Sequence, residues 1–153
     1  MQNLSLQKQY SPKGICFGCG QANPQGFRLE SFIQGDKLIA HWQPEPQHQA
    51  FKNVINGGVI GTLLDCHCNW TAAWHLMQHH GLNATPCTVT ANYTIQLKRP
   101  TPLTALYLEA QLIKLVDATV LIRGKLFADD KLCASCEGTF VMVGPEHPAY
   151  HRN

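Results

Sequence analysis

The amino-acid sequence predicts an α+β fold in which a curved antiparallel sheet of about six strands wraps around one long central helix. Residues 56–80 carry apolar side chains at helical spacing on more than one side, which is typical of a helix covered by other structure. Two stretches before this helix and four after it alternate as strands do. Because the links are short, we expect antiparallel neighbours, and only a curved sheet can cover one helix on most sides.

Residues 1–15 are polar and are expected to form a loose arm or a short lead-in to the domain. Two strands follow at 27–33 and 37–42, and Gly35 lies in the tight turn between them. Residues 43–53 contain two prolines and are predicted to form a loop or a short helical turn.

After the helix, Gly81 is a suitable C-terminal cap. The predicted strands are 88–97, 103–115, 118–128 and 132–143, with a polar tail at 144–153. We interpret residues 1–153 as one domain.

Composition narrows the classes of function. The net charge of +2 and the absence of a long basic run argue against nucleic-acid binding. No apolar run has the roughly 20 residues that cross a bilayer, and the N-terminus lacks the apolar core of a secretion signal. The seven cysteines are scattered, so we interpret them as reduced thiols and predict a cytoplasmic protein without a membrane partner.

Cys16 and Cys19 have the spacing of half a zinc site. A structural zinc needs four ligands, usually from a second such pair, and the sequence contains none. We therefore predict a packed, glycine-rich turn and no metal site. The histidines and cysteines within the predicted helix could also suggest a metal, but only His75 and His79 have ligand-like spacing, and a solvated helix end explains them better.

The start of the helix is a candidate oxyanion hole. Gly57 and Gly58 leave backbone N–H groups unpaired where the helix dipole is positive. Because glycine has no Cβ, a carbonyl oxygen could approach both N–H groups closely. The alternative is that these glycines only permit a tight turn into the helix.

Asp65 is the sharpest candidate for catalysis. It is a carboxylate within an apolar helix, and no lysine or arginine lies within a turn of it. Burial would raise its pKa and leave it a usable base. The alternative is a structural aspartate bonded to hydroxyl or N–H groups. Gly57 and Asp65 are about 12 Å apart along one helix, so a site that uses both requires two antiparallel copies of the helix and predicts a twofold dimer with composite sites.

Several short motifs together resemble a known family. They are 16-CFGCG-20, 56-NGG-58, 63-LLD-65, 89-VTAN-92 and 98-KRP-100. The order and spacing of these motifs make the chain similar, over residues 16–143, to hotdog-fold acyl-CoA thioesterases of the phenylacetate (PaaI-like) group. The resemblance implies a hotdog fold, a homodimer or a dimer of dimers, and a fatty or aromatic acyl-CoA substrate.

The resemblance also implies roles for individual residues. Gly57 would supply the N–H donor, Asp65 the catalytic carboxylate, and Thr90 the hydroxyl that positions water or the carboxylate. Many relatives have histidine where this chain has Asn56, which can orient a group by hydrogen bonding but cannot move protons near neutral pH. Some relatives also carry Asn or Gln seven residues before the glycine, where this chain has Ala50. The alternation of its strand places Thr90 opposite the apolar face, so it could reach a site only at an edge or an interface.

The first functional hypothesis is thioester hydrolysis. Gly57, helped by Asn56, would polarise the carbonyl, and Asp65 of the partner subunit would activate water or attack directly. Gly58 would contribute to substrate binding, and Lys98 and Arg99 could meet the phosphates of coenzyme A or could simply be a solvated strand end. No cofactor is expected beyond the coenzyme A of the substrate.

Two alternatives remain. A non-catalytic acyl-CoA or small-molecule binding protein is favoured by the asparagine at position 56. A hotdog dehydratase ranks last, because that chemistry pairs a histidine with an acid.

Overall fold

The computed structural model describes residues 3–150 and confirms the predicted fold class. The long helix, α2, spans Gly57–His80 and begins at the N-cap residue Asn56. It ends at Gly81, which adopts the left-handed conformation with φ of 63°, and a residue without a Cβ does so at no steric cost. Within residues 3–150, the helices lack the combination of length and apolar character that spanning a membrane requires.

One six-stranded sheet packs against α2. Its strands are β1 (Phe32–Gln34), β2 (Lys37–Trp42), β5 (Thr88–Leu97), β6 (Leu106–Val116), β7 (Thr119–Ala128) and β8 (Lys131–Met142). All pairs are antiparallel, in the spatial order β1-β2-β6-β7-β8-β5. A separate two-stranded sheet, β3 (Gln49–Phe51) and β4 (Val54–Ile55), leads into the helix. Strand β5 is therefore an edge of the main sheet, next to the start and middle of α2.

The first strand is shorter than predicted, because residues 27–31 bond to other parts of the chain. The N–H of Phe27 donates to the carbonyl of Phe17 at 2.8 Å, and that of Leu29 to the carbonyl of Gly18 at 3.1 Å. These bonds attach the cysteine-containing turn to the body of the protein.

Of the two predicted forms of the N-terminal segment, the loose arm is wrong for the residues that the structure describes, because these residues pack onto the domain. A short helix, α1 (Leu6–Tyr10), is capped by the hydroxyl of Ser5, and Leu6 and Gln7 are buried. The arm carries few apolar residues, so its packing could not be predicted from periodicity. Residues 1–2 and 151–153, at the ends of the predicted arm and tail, lie outside the described range.

A buried polar network joins α1, α2 and β2. The ring Nε2 of His67 bonds to the carbonyl of Leu38 at 2.9 Å, and its Nδ1 lies 2.8 Å from the hydroxyl of Ser31. The amide of Gln7 donates to the same hydroxyl at 3.0 Å and accepts the N–H of Ser31 at 2.7 Å. Because a carbonyl only accepts, Nε2 carries a proton. The Ser31 hydroxyl already accepts from Gln7 and can donate its own hydrogen to Nδ1, which fits a neutral His67.

Acid is expected to destabilise the fold through this histidine. Burial lowers the pKa of His67 to about 4 from an ordinary value of 6.5. The unfolded chain therefore binds the proton first, and the stability contributed by neutral His67 is complete above pH 6.5 and is lost as the pH falls toward 4. Between pH 7.5 and 5 the free energy of unfolding should fall by about 2 kcal/mol from this group.

Urea unfolding at both pH values, compared with a His67→Gln variant, measures the contribution. The variant should lose distinctly less stability than wild type over the same interval. An equal loss in both proteins would assign the acid sensitivity to other groups.

Candidate active site

The backbone donors at the start of α2 are not equally available. The side-chain oxygen of Asn56 accepts the N–H groups of Gly58 at 2.7 Å and Val59 at 3.2 Å. The expectation that Gly58 offers a free donor is therefore wrong. The N–H of Gly57, in contrast, has no hydrogen bond to any group in residues 3–150, and it lies at the positive end of the helix dipole.

Asn56 acts as the helix cap, which the sequence analysis did not anticipate. Because its oxygen accepts two N–H groups, the orientation of its amide is fixed and its NH2 group is left as a donor beside Gly57. The backbone N–H of Asn56 in turn donates to the carbonyl of His48 at 2.9 Å, so the preceding loop holds the helix start in place.

Asp65 is half-buried on the side of α2 that faces β5. The hydroxyl of Thr90 donates to its Oδ1 at 2.7 Å. Asn69, one helical turn further on, donates to the hydroxyl oxygen of Thr90 at 3.4 Å and to the carbonyl of Thr88 at 3.0 Å. Oδ2 of Asp65 has no hydrogen bond from the part of the chain that the structure describes. One carboxylate oxygen is thus held and the other is available.

A β-bulge explains how Thr90 reaches Asp65. Thr90 pairs with Phe140 and Asn92 pairs with Thr139, so Ala91 is an extra residue in β5. The bulge shifts the alternation by one residue, and Thr90 consequently shares the inward face with Ile95, whose side chain covers Gly61 of α2. The expectation that Thr90 points away from the apolar face is therefore wrong.

The surroundings of Asp65 raise the pKa of its carboxyl group. Burial raises its pKa above the usual value, a nearby Cys16 raises it further, and the bond from Thr90 opposes both effects. The ion pairs among residues 3–150 join Lys8 to Glu30, Lys37 to Glu109 and Arg123 to Glu137. None of them involves Asp65, so no cation offsets its desolvation.

The cysteine-containing turn, residues 14–20, packs against α2 next to Asp65. A Cβ on Gly18 would lie 2.4 Å from Sγ of Cys66 and 2.8 Å from Cγ2 of Thr62, so the turn approaches α2 as closely as a glycine permits. It is packed, as predicted. Cys66 lies beside Cys16 and Cys19. This cluster was not predicted from the sequence, because it depends on how the turn packs on the helix.

Asp65 therefore lies between the turn at 14–20 and β5, and we call this strip of α2 the groove. The β5 side carries two exposed apolar side chains, Tyr93 and Leu97, which are 42% and 57% exposed. Trp70 is half-buried, and its indole N–H donates to Sγ of Cys19 at 3.3 Å, so its contacts agree with a packing role.

The predicted substrate-binding cations lie at the other end of the groove. Lys98 and Arg99 follow β5, are exposed, and donate their backbone N–H groups to the carbonyl of Cys133. The preceding Leu97 reaches the start of α2, since a Cβ on Gly57 would lie 3.2 Å from its Cδ1. The two cations are thus near Gly57.

The predicted site residues form two groups in the structure, and the two groups are distant from each other within one chain. Thr90 and Asp65 form one group, and Asn69, which was not predicted as a site residue, belongs to it through its bond to Thr90. Gly57, Asn56 and the two cations form the other. Eight residues of helix, about 12 Å, separate the groups within one chain.

Solved structures of other proteins share this architecture, whereas two other comparisons found no match. No protein-family model and no curated protein matches the chain. Among solved structures, a thioesterase superfamily protein from Shewanella loihica is 29% identical, with a TM-score of 0.66 over 80% of this chain and 97% of that one.

Two further structures share the fold at lower identity. The E. coli PaaI protein of the phenylacetic acid degradation operon is 15% identical, with a TM-score of 0.66 over 77% of this chain and 81% of its own. A Bacillus halodurans protein solved with CoA is 21% identical, with a TM-score of 0.65 over 78% of this chain and 77% of its own.

The sheet, the central helix and these similarities define a hotdog-fold protein. The resemblance to the thioesterase superfamily that the sequence motifs predicted is confirmed, and PaaI-type proteins are among the similar structures.

Proposed function

We propose that the protein hydrolyses acyl-CoA thioesters to a free acid and coenzyme A. The observation that carries the proposal is Asp65, a half-buried carboxylate between the turn at 14–20 and β5. Thr90 holds one of its oxygens, and no cation within residues 3–150 pairs with it. A carboxylate with a raised pKa and a free oxygen suits a general base. The similarity to a thioesterase superfamily protein supports the same chemistry. The Bacillus halodurans protein that shares the fold was solved with CoA, which supports a ligand of this type.

The complete site is assembled from two protomers. Gly57 supplies a free N–H at the tip of one helix, and Asp65 lies about 12 Å away in the same chain, which is too far for both to meet one carbonyl group. In a twofold dimer with antiparallel α2 helices, the helix start of each protomer meets Asp65 of the other. The edge strand β5, with exposed Tyr93 and Leu97, is available for this contact.

The reaction then has a simple division of roles. The N–H of Gly57 and the NH2 of Asn56 donate to the thioester oxygen as negative charge develops on it. Oδ2 of the partner's Asp65 either removes a proton from water as it attacks the carbonyl carbon, or attacks that carbon itself to form a mixed anhydride that water then hydrolyses. The C–S bond breaks and coenzyme A leaves as a thiolate that takes up a proton.

Recognition of coenzyme A falls to the exposed cations at the groove end. Lys98 and Arg99 are exposed and follow Leu97, which reaches the helix start, where the phosphates of coenzyme A would emerge from the site. The reaction needs no cofactor apart from the coenzyme A of the substrate.

A hydrolysis screen tests the proposal. The purified protein is incubated with short-chain, long-chain and aromatic acyl-CoAs, and released coenzyme A is measured by chromatography, which the protein's own thiols do not disturb. Turnover of at least one acyl class is expected. Saturable acyl-CoA binding without hydrolysis would instead establish a binding protein, and turnover of hydroxyacyl-CoA or enoyl-CoA without thioester cleavage would establish a dehydratase.

Replacing Thr90 with valine is expected to lower kcat about tenfold with a smaller change in KM. Valine keeps the branched shape and strand preference but lacks the hydroxyl that holds Oδ1 of Asp65. Thr90→Ser keeps the hydroxyl and should recover most of the activity. If both variants lose activity equally, the side-chain shape rather than the hydrogen bond matters at this position.

A further inference from the structure

Three cysteine side chains meet beside the candidate active site. Cys16 and Cys19 come from the turn at 14–20, and Cys66 comes from α2. Their sulfur atoms all lie within 4.8 Å of one another, and those of Cys16 and Cys66 are 3.8 Å apart. A tetrahedral zinc ion with Zn–S bonds of about 2.3 Å holds its sulfur ligands about 3.8 Å apart.

We propose that Cys16, Cys19 and Cys66 bind one Zn²⁺ ion per chain as three thiolates, with the fourth position open to water on the exposed side of Cys16. The separation between the sulfurs of Cys16 and Cys66, 3.8 Å, matches this coordination, and none of the three separations exceeds 4.8 Å. Cys66 is buried, Cys19 is half-buried and Cys16 is exposed, so an ion bound by all three has one accessible side.

The surrounding backbone is shaped to hold the sulfurs together. A Cβ on Gly20 would lie 2.3 Å from the backbone nitrogen of Cys16, so only glycine permits the sharp turn that returns Cys19 toward Cys16. Gly18 in the same way permits the close approach to Cys66. The N–H of Gly20 donates to the carbonyl of Cys16 at 2.8 Å and closes the turn.

A neighbouring donor further supports a ligand role. The indole N–H of Trp70 donates to Sγ of Cys19 at 3.3 Å. Donors of this kind orient and stabilise ligating groups from outside the coordination sphere. A bound cation would balance the charge of the three thiolates, since metal binding requires the cysteines to be deprotonated.

The bound ion would act as a metal clamp, by which we mean a cross-link between the turn at 14–20 and α2. The ion would join the turn at 14–20 to α2 next to Asp65, without itself taking part in the proposed hydrolysis. The clamp rests on the positions of the cysteines and stands whether or not the protein is a thioesterase.

Cadmium is a suitable probe, because it binds thiolate sites and gives an ultraviolet ligand-to-metal charge-transfer band. The full-length protein is reduced, freed of metal with a chelator, and titrated anaerobically with Cd²⁺ and then with competing Zn²⁺. We expect a band that saturates at one Cd²⁺ per chain and is displaced by Zn²⁺, together with a rise in Tm of a few degrees in Zn²⁺.

Cys16→Ser is the main test variant, because Cys16 is exposed and its replacement should leave the fold intact. It should lower Zn²⁺ affinity at least tenfold and abolish the rise in Tm, and Cys19→Ser should behave alike. Cys87→Ser, at the start of the β5 region, is the matched control and should bind as wild type does. Equal metal binding by wild type and Cys16→Ser, or recovery of Cys16 in a disulfide that blocks alkylation under the same reducing conditions, would overturn the proposal.

Discussion

Replacing Asp65 with asparagine is expected to lower kcat for acyl-CoA hydrolysis by at least about 100-fold. Asparagine has nearly the same shape, and its oxygen can still accept the bond from Thr90 that holds Oδ1 of the carboxylate. It can neither remove a proton from water nor attack a carbonyl carbon. Acyl-CoA binding should change little, because the substitution leaves the groove intact, so the loss should fall on kcat rather than KM.

Asp130→Asn provides a matched control for this substitution. Asp130 lies in the exposed turn between β7 and β8 with φ of 62°, a conformation that asparagine tolerates well. The control should retain wild-type activity. Full turnover by Asp65→Asn, in protein with an unchanged circular dichroism spectrum and Tm, would remove Asp65 from the mechanism.

The sequence was sufficient to predict the features that depend on local periodicity. The apolar pattern of residues 56–80 gave α2 to within a residue, and Gly81 gave its end. The later strands also agree with the alternation to within a few residues. These features follow from the spacing of side chains along one element, which the sequence displays directly.

The features that the sequence did not reveal depend on contacts between elements. Ala91 is an ordinary strand residue in the sequence, and only the pairing of β5 with β8 makes it a bulge that turns Thr90 inward. Cys66 joins Cys16 because the turn folds back across 50 residues of chain. Gly58 loses its free N–H because the Asn56 side chain bends back to cap the helix.

The separation of Gly57 from Asp65 could be predicted because it depends only on the rise of a helix. This separation predicts a site composed of two protomers. In the structure, one backbone N–H group at the helix start is suited to testing that prediction. The N–H of Gly57 is the unpaired donor at the helix start, whereas the N–H of Gly58 is occupied.

Gly57→Pro is expected to remove that donor while keeping the helix, and to lower kcat by about 100-fold or more. Proline is favoured at the first position of a helix, and Asn56 already has the extended conformation, φ −60° and ψ 135°, that a residue before proline requires. The nearest obstacle to a side chain is the flexible end of the exposed Leu97. Gly57→Ala adds a methyl group and keeps the N–H, so it should retain much of the activity, and equal losses in both variants would point to steric interference.

Mixing the two inactive variants tests whether the site is shared between protomers. In a heterodimer of Asp65→Asn and Gly57→Pro, one site combines the intact Gly57 of the first chain with the intact Asp65 of the second, and the other site carries both defects. A heterodimer purified with two different affinity tags should therefore have about half of the wild-type activity, although each parent is nearly inactive. Activity no higher than that of the parents would mean that both groups must act from one chain, and the twofold arrangement of the helices would then have to be abandoned.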